Sequence, residues 1–231
     1  MIFMESLMNI KYVFWDSDNT LVNTALHHWN KHFNILQNDY DIVLDEIYKT
    51  RVYENNGGQN WEWMSHEIGL NEDKQVYLDK IDHWYSANAT EIQLRPGIDF
   101  ALRNFRDRGI PQAVVSNGRR RSVMAALKAK KLDEYFEFIL CKEDYDGRKP
   151  DPTPYLTALK KMETIKKTSI DSKNCLVIED DPLGVHAGNA AGMLTLHRKL
   201  HENQSTSSHA DFVAYEEEEF KAILTREFLH P

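Results

Sequence analysis

Four short polar stretches hold residues able to do chemistry together: Asp16-Ser17-Asp18-Asn19-Thr20, Ser116-Asn117-Gly118, Gly147-Arg148-Lys149-Pro150-Asp151-Pro152 and Glu179-Asp180-Asp181. Three of them directly follow short apolar runs rich in β-formers, at residues 12–15, 111–115 and 175–178. In an open α/β sheet, ligands bind outside the carboxyl ends of the strands. Those stretches therefore converge on one edge as a set of carboxylates, a hydroxyl, amide donors and one ammonium, Lys149. Carboxylates crowded on an edge repel unless a hard divalent cation holds them, and oxygen-only donors favour magnesium over zinc. With Mg2+ bound, one carboxylate can act as a nucleophile and another as an acid. Lys149 and Ser116 would neutralise and orient a phosphoryl group, whose transfer depends mostly on positioning and charge stabilisation. Taken singly, each residue reads as a solvated loop or capping side chain. Their joint occurrence after three separate strands is what points to a site.

The elements that must position these groups are read from periodicity. Tyr12-Val13-Phe14-Trp15 is a continuous apolar run of the kind found in a fully buried parallel strand. Residues 24–49 turn helical, with Trp29, Phe33 and Leu36 on one face, and further helices are expected over 61–68 and 74–87. Residues 54–59, Glu-Asn-Asn-Gly-Gly-Gln, read as a loop. No strand is expected between 23 and 94. After Arg95-Pro96-Gly97, helix and strand alternate: helices over 100–108, 122–130, 154–162 and 184–191, and strands over 111–115, 136–141, 175–178, 193–196 and 212–213. A polar loop at 203–208 precedes the last strand, and a helix with an acidic start at 216–219 follows it. This alternation implies an α/β fold, a doubly wound parallel sheet with helices on both faces. The expected division is a core at 1–23, an inserted all-helical block at 24–94, and the rest of the core at 95–231.

Bulk properties bound the class of function. The chain has 231 residues, 42% hydrophobic and 28% charged, enough apolar material for a real core. A formal net charge of −8 argues against nucleic acid as the main partner. The two cysteines, Cys141 and Cys175, sit at the ends of apolar runs and read as buried thiols, suiting a reducing cytosol. Residues 1–7 carry neither a basic n-region nor a sustained apolar h-region, so no secretory signal is expected. No run approaches the ~18 apolar residues of a membrane span. The expectation is a cytoplasmic protein, monomeric or weakly dimeric, acting on a small phosphorylated metabolite.

In its four motifs the chain resembles the haloacid dehalogenase superfamily, on the phosphatase and phosphomutase branch with a helical cap after the first strand. Residues 13–22, Val-Phe-Trp-Asp-Ser-Asp-Asn-Thr-Leu-Val, match the first motif and Val114-Val115-Ser116-Asn117 the second. Arg148-Lys149-Pro150-Asp151-Pro152 matches the third, and Val177-Ile178-Glu179-Asp180-Asp181, with Gly184 and Ala187, the fourth. The similarity runs from about Tyr12 to Val213. The resemblance implies Asp16 as nucleophile and Asp18 as general acid–base. It implies magnesium held by the Asp16 carboxylate, the Asp18 carbonyl and Asp180, with Glu179 beside it, directly or one layer out. Ser116 and Lys149 would bind the phosphoryl group, Asn117 would face the substrate, and Thr20 would support the first loop at the substrate side. Phosphatase is the leading reading. Alternatives are a sugar phosphomutase, in which a sugar hydroxyl replaces water, and a non-catalytic regulator, against which the complete set of motif residues counts. The family usually has Gly where Asn19 stands, and Asn is well tolerated at positive φ; it often has an acid where Asn23 stands.

Weaker signals remain. Arg119-Arg120-Arg121 opens a helix and reads as a solvated basic run or as a source of one substrate-facing arginine. His28 and His32 share a helix face without a third zinc ligand, which favours an ordinary amphipathic face. Tyr53, Trp61, Trp63, Trp84 and Tyr85 read mainly as the core of the helical block. Asn55 and Asn56, in the loop with Gly57 and Gly58, are expected to contact the substrate's leaving group, the glycines letting the backbone approach.

Overall fold

The structure, a computed structural model, describes residues 9–229; the segment 1–7, expected to carry no secretory signal, lies outside the described residues. The first strand, β1 (Tyr12–Trp15), is central because its side chains are apolar on both faces. It is followed by a short β2 (Val22–Asn23), and β3 (Gln93–Leu94) returns beside β2. The later strands are β4 (Gln112–Val115), β5 (Phe138–Leu140), β6 (Cys175–Glu179), β7 (Leu194–Arg198) and β8 (Phe212–Ala214). Six of them form one parallel sheet in the order β5-β4-β1-β6-β7-β8. The order reverses direction at β1, between β4 and β6, so the crevice of the doubly wound sheet opens at the end of β1.

Alternation along the strands sorts the core into two layers, as the two-residue period of a strand requires. Val13, Trp15, Val114, Leu176 and Ile178 face one layer. There they meet α5 (Ile98–Asp107), α6 (Arg120–Ala129) and α9 (Glu217–Ile223) through Leu102, Phe105, Leu127 and Phe220. Phe14, Ala113, Val115, Cys175 and Val177 face the other. They meet α7 (Thr153–Lys166) and α8 (Pro182–Ala190) through Tyr155, Ala158, Met162 and Ala187. Cys141 and Cys175 are buried free thiols, as expected from their flanks.

The block between β2 and β3 is helical: α1 (Ala25–Tyr40), α2 (Lys49–Glu54), α3 (Gly57–Glu67) and α4 (Lys74–Ala87). It has a core of its own, built around Trp29, Leu36, Trp63, Met64, Tyr77 and Ile81. Of the aromatic set, Trp63 joins this core, Tyr85 packs into the sheet's core instead, and Tyr53 is exposed. Where a wholly helical stretch was expected, the antiparallel ribbon β2–β3 pairs Val22 with Leu94 and Asn23 with Gln93 at its two ends. Two residues per strand are too few to show a period.

The loop expected over 54–59 is shorter. Gly57, Gly58 and Gln59 already belong to α3, because Asn56 caps it. The Asn56 Oδ1 accepts from Gly58 N and Gln59 N, while the Gln59 side chain accepts from Asn56 N at 3.0 Å. This reciprocal capping box is a strong start signal. A Cβ on Gly57 would meet Ile81 Cδ1 at 2.9 Å. That glycine therefore serves the close approach of α3 to α4. Among the described residues, no helix is long and apolar enough to cross a membrane.

Candidate active site

The first loop leaves β1 at the reversal point of the sheet. Asp16 is only 8% exposed, and its N–H donates to Ile178 O of β6 at 3.0 Å, which holds the β1 and β6 ends together. Three residues on, Asn19 takes φ = 57°, the left-handed conformation that Gly and Asn tolerate best. Asn19 Oδ1 then accepts from Thr24 N and Ala25 N, both at 3.0 Å, so it also caps the first turn of α1. Here asparagine does something glycine cannot. Thr20 lies beneath the site: it is fully buried, and its hydroxyl donates to Asp180 Oδ1 at 2.9 Å. The structure thus places Thr20 behind a carboxylate, and it does not line the cavity that gathers the other site residues.

Lys149 is the hub. Its Nζ lies 2.7 Å from Asp16 Oδ1, 2.5 Å from Glu179 Oε1 and 2.7 Å from the Val115 carbonyl. All three ammonium protons therefore have acceptors, which fixes a flexible side chain in one place. Glu179 also accepts from the Tyr155 hydroxyl at 2.7 Å. Sequence reasoning missed Tyr155, since a tyrosine on an apolar helix face looks like core. Gly184, part of the fourth motif but given no role there, is a second support. A Cβ there would lie 2.1 Å from the Glu179 carboxylate, so only glycine lets α8 start against that group. Asp181 caps α8 by accepting from Leu183 N at 2.8 Å and is a structural residue here.

Ser116 follows β4, is buried, and accepts from Gly118 N at 3.0 Å. Gly118 has no room for a side chain: its Cβ would sit 3.1 Å from both Asp18 Oδ2 and Ser116 Oγ. The exposed Asn117 accepts from Lys149 N at 3.2 Å through its Oδ1, tying the second motif to the third. A cavity of about 200 Å³ gathers these groups, lined by Asp16, Asp18, Ser116, Asn117, Lys149, Glu179 and Asp180.

The electrostatics show what the cavity could hold. Carboxylate oxygens of Asp16, Glu179 and Asp180 lie within 4.8 Å of one another, all buried. Burial and the neighbouring Glu179 push the Asp16 carboxyl up to about 8, despite Lys149 beside it. Asp180 is raised well above its ordinary value by burial and by Asp16, and burial also raises Glu179. Burial works against the Lys149 ammonium, but Asp16 and Glu179 prevail and hold it charged. One cation among three carboxylates leaves an unmet negative charge in a dry place. An oxygen-only donor set of this kind fits magnesium.

Asp18 behaves differently. Burial opposes its ionisation, yet the hydrogen bond and charge of His28 prevail and keep its pKa low. His28 Nε2 lies 3.3 Å from Asp18 Oδ1, and Lys31 Nζ lies 3.0 Å from His28 Nδ1. His28 thus points from α1 to the first loop and forms no zinc pair with His32, whose Nδ1 meets the Tyr77 hydroxyl at 2.8 Å. Arg119 reaches across to the helical block and pairs with Asp82 at 2.7 Å; Arg120 pairs with Asp144, back on the core.

A cleft of about 410 Å³ opens beyond Asp18, between the helical block and the core. Asp18, Asn117 and Gly118 line both it and the smaller cavity. Asn55 and Asn56 both line the cleft. The Asn56 amide is spent on its cap, whereas among the described residues the Asn55 side chain has no hydrogen-bond partner.

A family model described as haloacid dehalogenase-like hydrolase matches residues 13–197. A bifunctional riboflavin kinase/FMN phosphatase of Arabidopsis thaliana is 32% identical over 109 residues, 47% of this chain and 27% of that protein. A phosphoglycolate phosphatase of Aquifex aeolicus is 22% identical over 80% of this chain and 83% of its own length. The match spans well under half the length of the first curated relatives, 27% and 40%. Among solved structures, a β-phosphoglucomutase of Clostridium difficile superposes with a TM-score of 0.73 at 20% identity, covering 94% of this chain and 97% of the other.

Proposed function

The chain belongs to the haloacid dehalogenase-like hydrolase family, and on that premise we propose that it is a magnesium-dependent phosphoric monoester hydrolase acting on a small phosphorylated metabolite. One observation carries the reading: Asp16 is buried at the reversal point of the sheet with Lys149 at 2.7 Å and three carboxylates in need of a cation. Asp16, Asp180 and the Asp18 carbonyl would hold Mg2+, which when bound supplies the positive charge that lets Asp16 ionise and approach a phosphate.

The first step forms a bond between an Asp16 carboxylate oxygen and phosphorus and breaks the bond from phosphorus to the leaving oxygen. Asp18, at the junction of the cavity and the cleft and ionised before substrate arrives, takes up a proton as the phosphate's negative charge enters beside it and gives it to that oxygen. In the second step Asp18 takes a proton from water. The water oxygen bonds to phosphorus, the Asp16–phosphorus bond breaks, and inorganic phosphate leaves with the Asp16 carboxylate restored. Lys149 neutralises the phosphoryl oxygens, held on its other side by Glu179 and, through it, by Tyr155. Ser116 orients the same oxygens. The helical block at residues 24–94 covers the site and limits water.

The test is turnover of p-nitrophenyl phosphate and of a panel of phosphorylated metabolites with Mg2+, with free phosphate as the product measured. Phosphate release that EDTA stops and Mg2+ restores is expected. Transfer of the phosphoryl group to a sugar hydroxyl without phosphate release would replace the hydrolase with a mutase.

A further inference from the structure

The protein carries a formal charge of −8, yet the cleft beyond Asp18 is lined by Lys31, Lys74, Lys142 and Arg119 against only two carboxylates, Asp18 and Asp82. Both carboxylates are engaged: Asp82 by Arg119 at 2.7 Å, Asp18 by His28 at 3.3 Å. Among the described residues no carboxylate forms an ion pair with Lys31, Lys74 or Lys142. The three come from separate places, α1, the first turn of α4, and the segment after β5, so no single basic run explains them.

The transferring phosphoryl group does not account for these cations. It is served in the smaller cavity, where Lys149 lies, and Asp18 stands between the two spaces. Whatever lies in the cleft is therefore attached to the leaving oxygen. Lys31 is the most telling of the set. It is half-buried, its only hydrogen bond is to His28, and burial pushes its ammonium down to about 8 even with Asp82 and Asp18 nearby. A half-buried ammonium that meets one histidine nitrogen and the Tyr85 ring at 5.8 Å, but no anion, is costly, and an anion brought by the ligand would relieve that cost. The apolar lining is confined to Leu78 and Ile81, too little to read a large apolar leaving group.

We propose that the leaving-group side of the substrate carries a second anionic group, a carboxylate or a second phosphate, held in the cleft by Lys31 together with Lys74 and Lys142. This deepens the phosphatase reading and rests on it. One charge-assisted contact across a partly dry cleft is enough for roughly tenfold discrimination, since tenfold is about 1.4 kcal/mol.

Two matched substrate pairs test it, with the full chain and Mg2+: 2-phosphoglycolate against 2-hydroxyethyl phosphate, and 1,3-propanediol bisphosphate against 3-hydroxypropyl phosphate. p-Nitrophenyl phosphate reports the core chemistry. In at least one pair, the anionic member is expected to have a kcat/KM about tenfold higher; which pair shows it tells carboxylate from phosphate. Lys31→Gln should shrink that ratio toward unity, chiefly through KM of the anionic member, and Lys31→Arg should restore part of it. Lys74→Gln, at an exposed position, gives the same reading should Lys31→Gln fold poorly. Equal kcat/KM within each pair, from an enzyme that turns over p-nitrophenyl phosphate, overturns the second anion and leaves the phosphatase standing. No phosphate release from any of the five compounds overturns both.

Discussion

The cavity around Lys149 and the cleft around Lys31 are neighbours that handle charge in opposite ways. In the cavity, Lys149 is 4% exposed and all its protons are taken, by Asp16, Glu179 and Val115 O. In the cleft, Lys31 is half-buried and meets one histidine nitrogen. The first region stands at the ends of parallel strands whose register is set by buried side chains on both faces. The second is framed by helices whose placement depends on packing such as Gly57 against Ile81. The difference teaches a division of labour: a preorganised place for the group common to all substrates, and a place with unmet valences for the part that varies.

The largest effects come from breaking the cavity. Asp16→Asn should abolish turnover and leave no labelled phospho-protein after incubation with a 32P-labelled substrate, because an amide is too weak a nucleophile. Chelation should stop turnover in the wild type, reversibly. Labelled protein from the Asn variant would move the nucleophile elsewhere. Full activity in excess EDTA would remove the metal.

Gly184→Ala is the next test, and it acts through a support. The added methyl must displace the Glu179 carboxylate or α8, at about 1–3 kcal/mol for overpacking. Because Glu179 holds Lys149, a shift of the order of 1 Å in that ammonium should cost about 10²-fold in kcat. Denaturant melts and kcat measured side by side check both. An unchanged kcat would show that Lys149 does not depend on Glu179 for its place.

A third effect is a pH slope that the cation should erase. In the metal-free protein the Asp16 carboxyl is held near 8 by burial and Glu179, against 3.8 when unfolded. Between these values the native state binds more protons than the unfolded chain, so stability falls as pH rises. Asp180 and Glu179 shift in the same direction. Buried histidines such as His28 and His32, with lowered pKa values, act the other way in this window, so the expected outcome is a gain in Tm from saturating Mg2+ that grows from pH 5 to pH 8. A gain in Tm from Mg2+ that stays constant over that range would contradict the charge balance of the cavity. The cleft opposes this slope, because burial lowers His28 and brings Lys31 down to about 8, and a base depressed in the native state adds stability as pH rises.

The same contrast explains what could be read from sequence. Asp16, Ser116 and Glu179 each follow an apolar run that could only be a buried strand, and the topology of a parallel sheet brings such ends together. Lys149 was legible from its motif and from being the lone lysine among acids. Tyr155 was not, because a tyrosine at an apolar helix position has the same pattern whether its hydroxyl reaches solvent or Glu179. His28 was visible as a helix-face residue, but its approach to Asp18 needs the backbone reversal at Asn19, which no periodicity records. The second role of Asn19, capping α1, explains how this chain does without the family's usual glycine. Arg119 read as part of a basic run, and its bond to Asp82 exists only because α4 packs on α6.

The smallest effects separate two adjacent asparagines that look interchangeable in sequence. Asn56 spends its side chain on the start of α3, with Gln59 answering. Asn56→Ala should therefore lower stability by about 0.5–2 kcal/mol, the cost of losing a cap. Its kinetic losses should be similar for p-nitrophenyl phosphate and for 2-phosphoglycolate, because a frayed α3 loosens the whole covering block. Asn55 stabilises nothing with its amide, which lines the cleft without a partner. Asn55→Ala should shift stability by no more than about 0.5 kcal/mol and raise KM severalfold for 2-phosphoglycolate, with a smaller change for p-nitrophenyl phosphate, which has no second anion. Urea melts of both variants, with KM for both substrates, separate the two cases. A melting loss in Asn55→Ala with equal kinetic losses would make it a second cap and would leave the cleft to its lysines.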